Sequence, residues 1–211
     1  MKGLLRLLAM SVYLSMISLV QAEEARIPLS TIRLIDVGGT MIHLAQKEGV
    51  KAVALVFLSD ECPVSNQYIP ELNRIFQEMS NEPIEFYGVM SDRTRTRAQA
   101  KAFADSFGVK FPILFDASAT VARLLKPTHV PEAFVVDSIG NVLYRGRIDD
   151  QFDAKLKRRT NVTTRDLAEA IKGIVAGNKP SVAQTMPVGC KLSGKVHEVS
   201  ANSVTYDRDV A

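Results

Sequence analysis

The chain has 211 residues, a formal net charge of +3 and only two cysteines, Cys62 and Cys190. That length allows one domain with a real core plus a tail, and the near-neutral balance gives no electrostatic argument for nucleic acid. No internal repeat or low-complexity block is present.

At the N-terminus Lys2 and Arg6 precede a mostly apolar stretch, Leu7 to Val20, which closes Val20-Gln21-Ala22 before Glu23-Glu24. This layout predicts a cleavable secretory signal over residues 1–22, cut after Ala22. A retained anchor is the alternative, but the apolar core is short for a membrane span. Loss of Lys2 and Arg6 lowers the net charge to +1, and Glu23 rather than a cysteine directly after Ala22 argues against a lipid anchor.

Residues 31–37 and 41–44 flank Gly38-Gly39 and predict a β-hairpin. A buried strand is expected over Ala52–Leu58. From Ser65 to Met79 the apolar residues Tyr68, Ile69, Leu72, Ile75, Phe76 and Met79 recur at helical spacing, with Pro70 as a candidate kink. Further strands are expected over Ile84–Met90, Phe111–Phe115, Glu132–Asp137 and Asn141–Arg145. Helices are expected over Thr94–Phe107, Val121–Leu125 and Thr164–Val175. Strands alternating with helices and then a hairpin describe an α/β domain, residues 23–177, with a mixed central sheet. Residues 178–211, with Pro180 and Pro187, are expected to form an extended tail carrying Cys190.

The chemistry centres on Cys62. An apolar strand ends in Ser59-Asp60-Glu61, and Cys62-Pro63 opens a helix. A thiol at a helix N-terminus sits among unpaired N–H groups at the positive end of the dipole, which favours the thiolate, the form that acts as nucleophile and metal ligand. In an exported protein the two cysteines also have the opportunity to pair, and a purely structural bridge across so long a loop would contribute roughly 3–5 kcal/mol.

The order strand, Cys-Pro, helix, followed later by Val130-Pro131 before a strand, resembles the redoxin branch of the thioredoxin-fold superfamily. The pieces carrying the resemblance are the segment from Cys62 to Leu72, the segment from Val130 to Asp137, Tyr144-Arg145-Gly146-Arg147-Ile148-Asp149-Asp150-Gln151, and Pro187-Val188-Gly189-Cys190. They are similar to exported bacterial redoxins of the peroxide-reductase/thiol-specific-antioxidant-like group. The resemblance implies a thioredoxin-like fold, a periplasmic oxidoreductase, a nucleophilic Cys62, and a cis peptide at Val130-Pro131 against the thiol. In the superfamily the backbone before that proline pairs with a bound peptide, so Pro63 and Val130 are implied to contact substrate, with Pro131 forming the opposing wall.

The chain departs from the family patterns in two ways. Ser65 stands where a dithiol oxidoreductase has its second cysteine, so resolution falls to Cys190, to an outside thiol, or to neither. In the peroxidatic frame Ser59 occupies the hydroxyl position three before Cys62, but Leu55 stands where the proline belongs. Arg123, Arg145 and Arg147 are candidates for a positive neighbour, or are surface and strand-rim charges. About a dozen residues separate Cys190 from the end of the predicted domain at residue 177, and at ~3.3 Å each an extended chain reaches roughly 40 Å, compared with a domain radius of gyration of ~15 Å. A meeting of the two cysteines is therefore permitted.

A soft Cu(I) site using Cys62, Cys190 and His129 is a third class, although the Cys-x-x-x-Cys spacing of copper chaperones is missing. His43 and His197 receive no role, and no cofactor motif is present. Asp149 and Asp150 are expected to hold the loop after the strand. Ser203 to Ala211 resembles the lead-in to a c-type cytochrome domain in fused relatives, so a c-type cytochrome enters as a candidate partner, though no Cys-x-x-Cys-His occurs. The expected activity is a thiol–disulfide oxidoreductase with Cys62 as single nucleophile and Cys190 as possible resolver, acting on a thiol/disulfide protein partner or a peroxide. The alternatives are a peroxiredoxin-type peroxidase and a non-catalytic Cu(I)- or partner-binding module.

Overall fold

A computed structural model describes residues 26–45 and 48–192. The predicted signal, His197 and the cytochrome-like lead-in lie outside the described residues.

Seven strands form one mixed sheet, β1 (Arg33–Asp36), β2 (Met41–His43), β3 (Ala52–Phe57), β4 (Ile84–Met90), β5 (Ile113–Phe115), β7 (Glu132–Asp137) and β8 (Val142–Gly146), in the order β2-β1-β5-β4-β3-β7-β8. The short strands β6 (His129–Val130) and β9 (Cys190–Lys191) make a separate two-stranded ladder. Every residue of β3 is buried, which explains its unbroken apolar run, and it pairs parallel with β4 and antiparallel with β7. Among the described residues four α-helices accompany the sheet: α1 (Pro63–Glu78), α2 (Arg97–Ser106), α3 (Thr120–Leu125) and α4 (Asp166–Val175). This is the expected α/β thioredoxin-like architecture with an N-terminal hairpin.

The core is one continuous cluster. The face of α1 bearing Tyr68, Ile69, Leu72 and Ile75 is buried, and Phe76 closes an aromatic group with Phe86 and Phe111, whose ring centroids lie 5.3–6.2 Å apart. Pro70 lies within α1. On the other side of β3, Phe57 meets the Phe134 ring edge-on at 5.6 Å.

Two helices begin later than the periodicity predicts, each for a local reason. Asp92 accepts the Thr94 N–H and hydroxyl, turning the chain before α2, which then starts from a Thr96/Gln99 capping box. Thr163 and Thr164 give their N–H groups to Asp150, so α4 starts at Asp166. The short α3 is held by buried Asp116, which accepts the N–H groups of Thr120, Val121 and Ala122 and the Ser91 hydroxyl. Burial raises the Asp116 pKa, a shift these hydrogen bonds oppose.

The described part of the tail is fastened at two places. At the first it runs along β8: the Arg145 N–H donates to the Ala183 carbonyl, the Thr185 N–H donates to the Arg145 carbonyl, and Tyr144 and Arg147 both bond the Thr185 hydroxyl. Gly146, at φ 141°, permits this approach, since a β-carbon there would stand 2.2 Å from Thr185 Oγ1. The second attachment is β9.

Candidate active site

The turn between β3 and α1 is built around Ser59. Its carbonyl accepts the Cys62 N–H and its hydroxyl accepts the Glu61 N–H, both at 3.3 Å. Cys62 is then the N-cap of α1 in extended conformation, with Pro63 in the first turn, where a residue lacking an N–H costs nothing. No side-chain cap covers this end, so the helix N-terminus faces the thiol region. Arg95 braces the turn from outside through ion pairs with Asp60 and Glu61.

The Val130–Pro131 peptide is cis. The Cys62 thiol donates to the Val130 carbonyl at 3.0 Å, so the sulfur faces the proline loop as the resemblance implies. Buried Glu132 holds that loop. One of its oxygens accepts the Thr128 N–H (2.6 Å), the Thr128 hydroxyl (3.0 Å) and the His129 N–H (3.2 Å), while the other accepts Arg145 at 2.8 Å.

The same Val130 pairs with Cys190 in the β6–β9 ladder, where His129 faces Lys191, and the Leu192 N–H donates to the Thr128 carbonyl. Gly189 lies flat on Val130, where a β-carbon would stand 2.2 Å from its carbonyl oxygen and 3.0 Å from Pro131 Cδ. Cys190 thereby comes within hydrogen-bonding reach of the Cys62 thiol and the Val64 N–H. Burial, and then the hydrogen bond and charge of Cys62, push the Cys190 thiol up to about 11 against the opposing Val64 contact. Both cysteines are free thiols.

Cys62 is only 1% exposed. It is nevertheless not sealed, because it forms part of the wall of a cavity of about 260 Å³ shared with Ser59, Ser91, Arg93, Cys190 and Lys191. Ser59 is thus both a turn former and a wall residue. Ser65 is fully buried, and its hydroxyl has no hydrogen-bond partner among the described residues.

The three arginines considered as positive neighbours are committed elsewhere. Arg145 is on Glu132, Arg147 is on Asp166 at 2.8 Å, and Arg123 is on the Ser118 carbonyl. Arg93 and Lys191 are the cations at the cavity, and neither carried a signal in the sequence beyond its charge. Glu132 carries no such signal either, since an acid after Val-Pro reads as a strand residue. The Gly-Cys step was the available clue to close docking of the tail.

His129 shares a hydrogen bond with the Thr128 hydroxyl at 2.9 Å. Among the described residues no three or more His, Cys, Asp or Glu side chains converge on a metal position, so the three-ligand copper arrangement lacks geometric support. Asp149 accepts the Tyr68 hydroxyl and the Gln151 N–H, and Asp150 gathers Thr163, Thr164 and Arg159, which ties down the loop after β8 as expected. No described helix is long and apolar enough to cross a membrane.

Residues 25–145 match the AhpC/TSA family. The thiol-disulfide oxidoreductase ResA of Halalkalibacterium halodurans is 26% identical over 110 residues, covering 52% of this chain and 61% of that protein. The chain therefore spans less than two thirds of that relative's length. The crystal structure of hypothetical protein SMc02350 from Sinorhizobium meliloti superimposes with a TM-score of 0.66 at 25% identity, over 79% of this chain and 94% of the other. The structure of MTB dsbF in mixed oxidized and reduced forms has a TM-score of 0.51 at 19% identity, over 72% and 98% of the two chains, and shows the shared fold.

Proposed function

Because the chain belongs to the AhpC/TSA family, as a redoxin of the thioredoxin-fold superfamily, we propose that it is a thiol–disulfide oxidoreductase with Cys62 as nucleophile and Cys190 as resolving thiol. The Cys62 thiolate attacks one sulfur of a substrate disulfide, whose S–S bond breaks and releases a thiolate. Cys190 then attacks the Cys62 sulfur, expelling the second substrate thiol and leaving a Cys62–Cys190 disulfide. Two electrons reach the substrate, and an outside thiol returns them.

The register of Val130 opposite Cys190 carries this reading, because it delivers the second thiol that Ser65 cannot supply. The ResA relative's name supports the reaction class. Mass spectrometry tests it: oxidation should lower the protein mass by two hydrogens and link peptides containing Cys62 and Cys190. Two freely alkylated thiols after oxidation would exclude it.

A peroxidase is the second reading, favoured by Ser59 at the cavity and by the cavity's small size. Cys62 would cleave the peroxide O–O bond, releasing water or an alcohol and becoming a sulfenic acid. Cys190 would condense with that acid, releasing water. Hydroperoxide consumption that exceeds disulfide exchange and disappears in Cys62→Ser would select it.

The N-terminal segment supports export to the periplasm, to be tested by cell fractionation. A thiol/disulfide protein partner and a c-type cytochrome partner belong to the same proposal. Capture of either by protein carrying both Cys190→Ser and Gly189→Val, in which the tail strand no longer covers the backbone before Pro131, is the test.

A further inference from the structure

The tail occupies the edge that an extended polypeptide would need. In the fold family's mode of recognition a partner strand pairs with the backbone before the proline, but here that backbone is already used. Cys190 pairs with Val130, Lys191 pairs with His129, the Leu192 N–H donates to the Thr128 carbonyl, and Gly189 packs on the Val130 carbonyl. A second strand cannot add at the same edge while β9 is seated. Cys62, at 1% exposure, is then reached through the cavity.

That cavity has a definite chemical character. At about 260 Å³ it is smaller than the usual drug-sized pocket. Of its acids, Glu61 is paired with Arg95, whereas Asp92 accepts the Thr94 N–H and hydroxyl and keeps its negative charge. Its cations, Arg93 and Lys191, are exposed and have no acidic partner among the described residues. Two cations against the one carboxylate without a cationic partner, Asp92, leave a net positive charge beside two thiols, which favours carboxylates attached to a small sulfur compound.

Building on the oxidoreductase reading, we propose that with β9 seated the substrate is a low-molecular-weight thiol bearing carboxylates, or its disulfide, held by Arg93 and Lys191, and that β9 keeps extended polypeptides out. With a small disulfide RSSR, the Cys62 thiolate attacks one sulfur, RS⁻ departs and takes a proton, and Cys62–S–SR forms. Cys190 displaces the second RS⁻, which is also protonated. RSSR and two protein thiols thus become two RSH and one protein disulfide, and the reverse sequence lets RSH act as reductant.

The full-length Cys190→Ser protein makes the test clean, because it retains β9 but stops at the Cys62 mixed disulfide. It is exposed in turn to glutathione disulfide, to cystamine (which lacks carboxylates), and to an extended peptide dimer linked by a disulfide. Glutathione disulfide should trap Cys62 fastest. Adding Arg93→Gln and Lys191→Gln should slow that trapping by roughly tenfold while leaving cystamine unchanged or faster. Adding Gly189→Val, whose side chain collides with Val130, should unseat β9 and speed peptide trapping at least tenfold, with little change for cystamine.

Equal rates for the peptide and glutathione disulfide with β9 seated, or no change in the cation variants, would overturn the proposal while leaving the oxidoreductase reading intact. Failure of all three disulfides to trap Cys62 in any of these proteins would overturn both.

Discussion

The loop after β8 and the turn before α1 both bury polar atoms, and each leaves a side-chain atom without a hydrogen-bond partner among the described residues, Gln151 Nε2 and Asp60 Oδ1, but they differ in how their other groups are held. In the loop, Asp150 receives the Thr163 and Thr164 N–H groups, the Thr163 hydroxyl and Arg159, and Asp149 receives Tyr68 and Gln151. At the turn, the Ser65 hydroxyl is buried without a partner among the described residues, the Cys62 thiol donates to the Val130 carbonyl, and burial and Cys62 raise the pKa of the neighbouring Cys190 thiol. Saturated polar groups fix a shape. Undersaturated ones remain able to bond a bound molecule, which agrees with the proposal that Cys62 and Cys190 carry the chemistry.

Replacing groups at the turn should therefore remove chemistry, whereas replacing saturated groups should remove stability. The largest effect is expected for Cys62→Ser: disulfide exchange should fall to background while stability changes by no more than about 1 kcal/mol, as read from kinetics beside urea unfolding. An unfolded variant, or one with residual Cys62-independent turnover, would break the distinction. Cys190→Ser should leave the first attack in place and accumulate the mixed disulfide.

Glu132 tests the boundary between the two kinds of region, since it is saturated yet stands one residue from the cis proline. Glu132→Ala would orphan the N–H groups of Thr128 and His129 and leave Arg145 without its carboxylate, with an expected loss of about 2–4 kcal/mol. Because the same loop carries the Val130 carbonyl and seats β9, disulfide formation should slow as well. Glu132→Gln, which retains acceptor capacity, should recover part of both. Full stability with slow chemistry would place Glu132 with the reactive groups instead.

Titration offers a gentler version of the contrast. Burial opposes the Asp150 charge, but the Thr163 hydroxyl, the two N–H groups and Arg159 outweigh it and bring its pKa down to about 2. A carboxylate depressed on folding contributes stability above its ordinary range near 4 and loses it as pH falls toward 2. Asp150→Asn should thus flatten the acid limb of a stability curve between about pH 4 and 2. Cys190 shifts the other way. With its thiol pushed up to about 11 by burial and by Cys62, alkylation in the reduced protein should still be rising above pH 9, and in Cys62→Ser the rise should move to lower pH. An alkylation profile that is the same in both proteins would separate the two thiols.

The sequence displays the parts of this molecule that depend on local rules. The apolar run of β3, the period of α1 and the Cys-Pro junction could be read directly because burial and helix capping act within a few residues. Val130-Pro131 was recognisable only through its resemblance to a family. The pairing of Cys190 with Val130 was not legible, because a two-residue strand has no periodicity and its register is set by Gly189 fitting over a carbonyl far away in the chain. Arg145 and Arg147 looked like candidates for the thiol region because charge is visible in a sequence and partners are not. Their carboxylates, Glu132 and Asp166, are brought to them by β7 beside β8 and by the start of α4.

The smallest effect is expected at Ser65. Its hydroxyl is buried and unpartnered, so Ser65→Ala removes a desolvated polar atom without breaking a described hydrogen bond. Stability should stay within about 1 kcal/mol of the original or improve, and turnover through Cys62 and Cys190 should persist. Ser65→Cys is the sharper companion, because it places a thiol one helical turn from Cys62, in the spacing of a local dithiol. If the tail is the working resolver, this variant should divide its oxidised product between a bond from Cys62 to the introduced thiol and the Cys62–Cys190 linkage, measurable by peptide mapping. A strong loss of activity in Ser65→Ala would mean that the hydroxyl serves the reaction itself, and the contrast between saturated and reactive regions would then have to include a donor that engages only when substrate is bound.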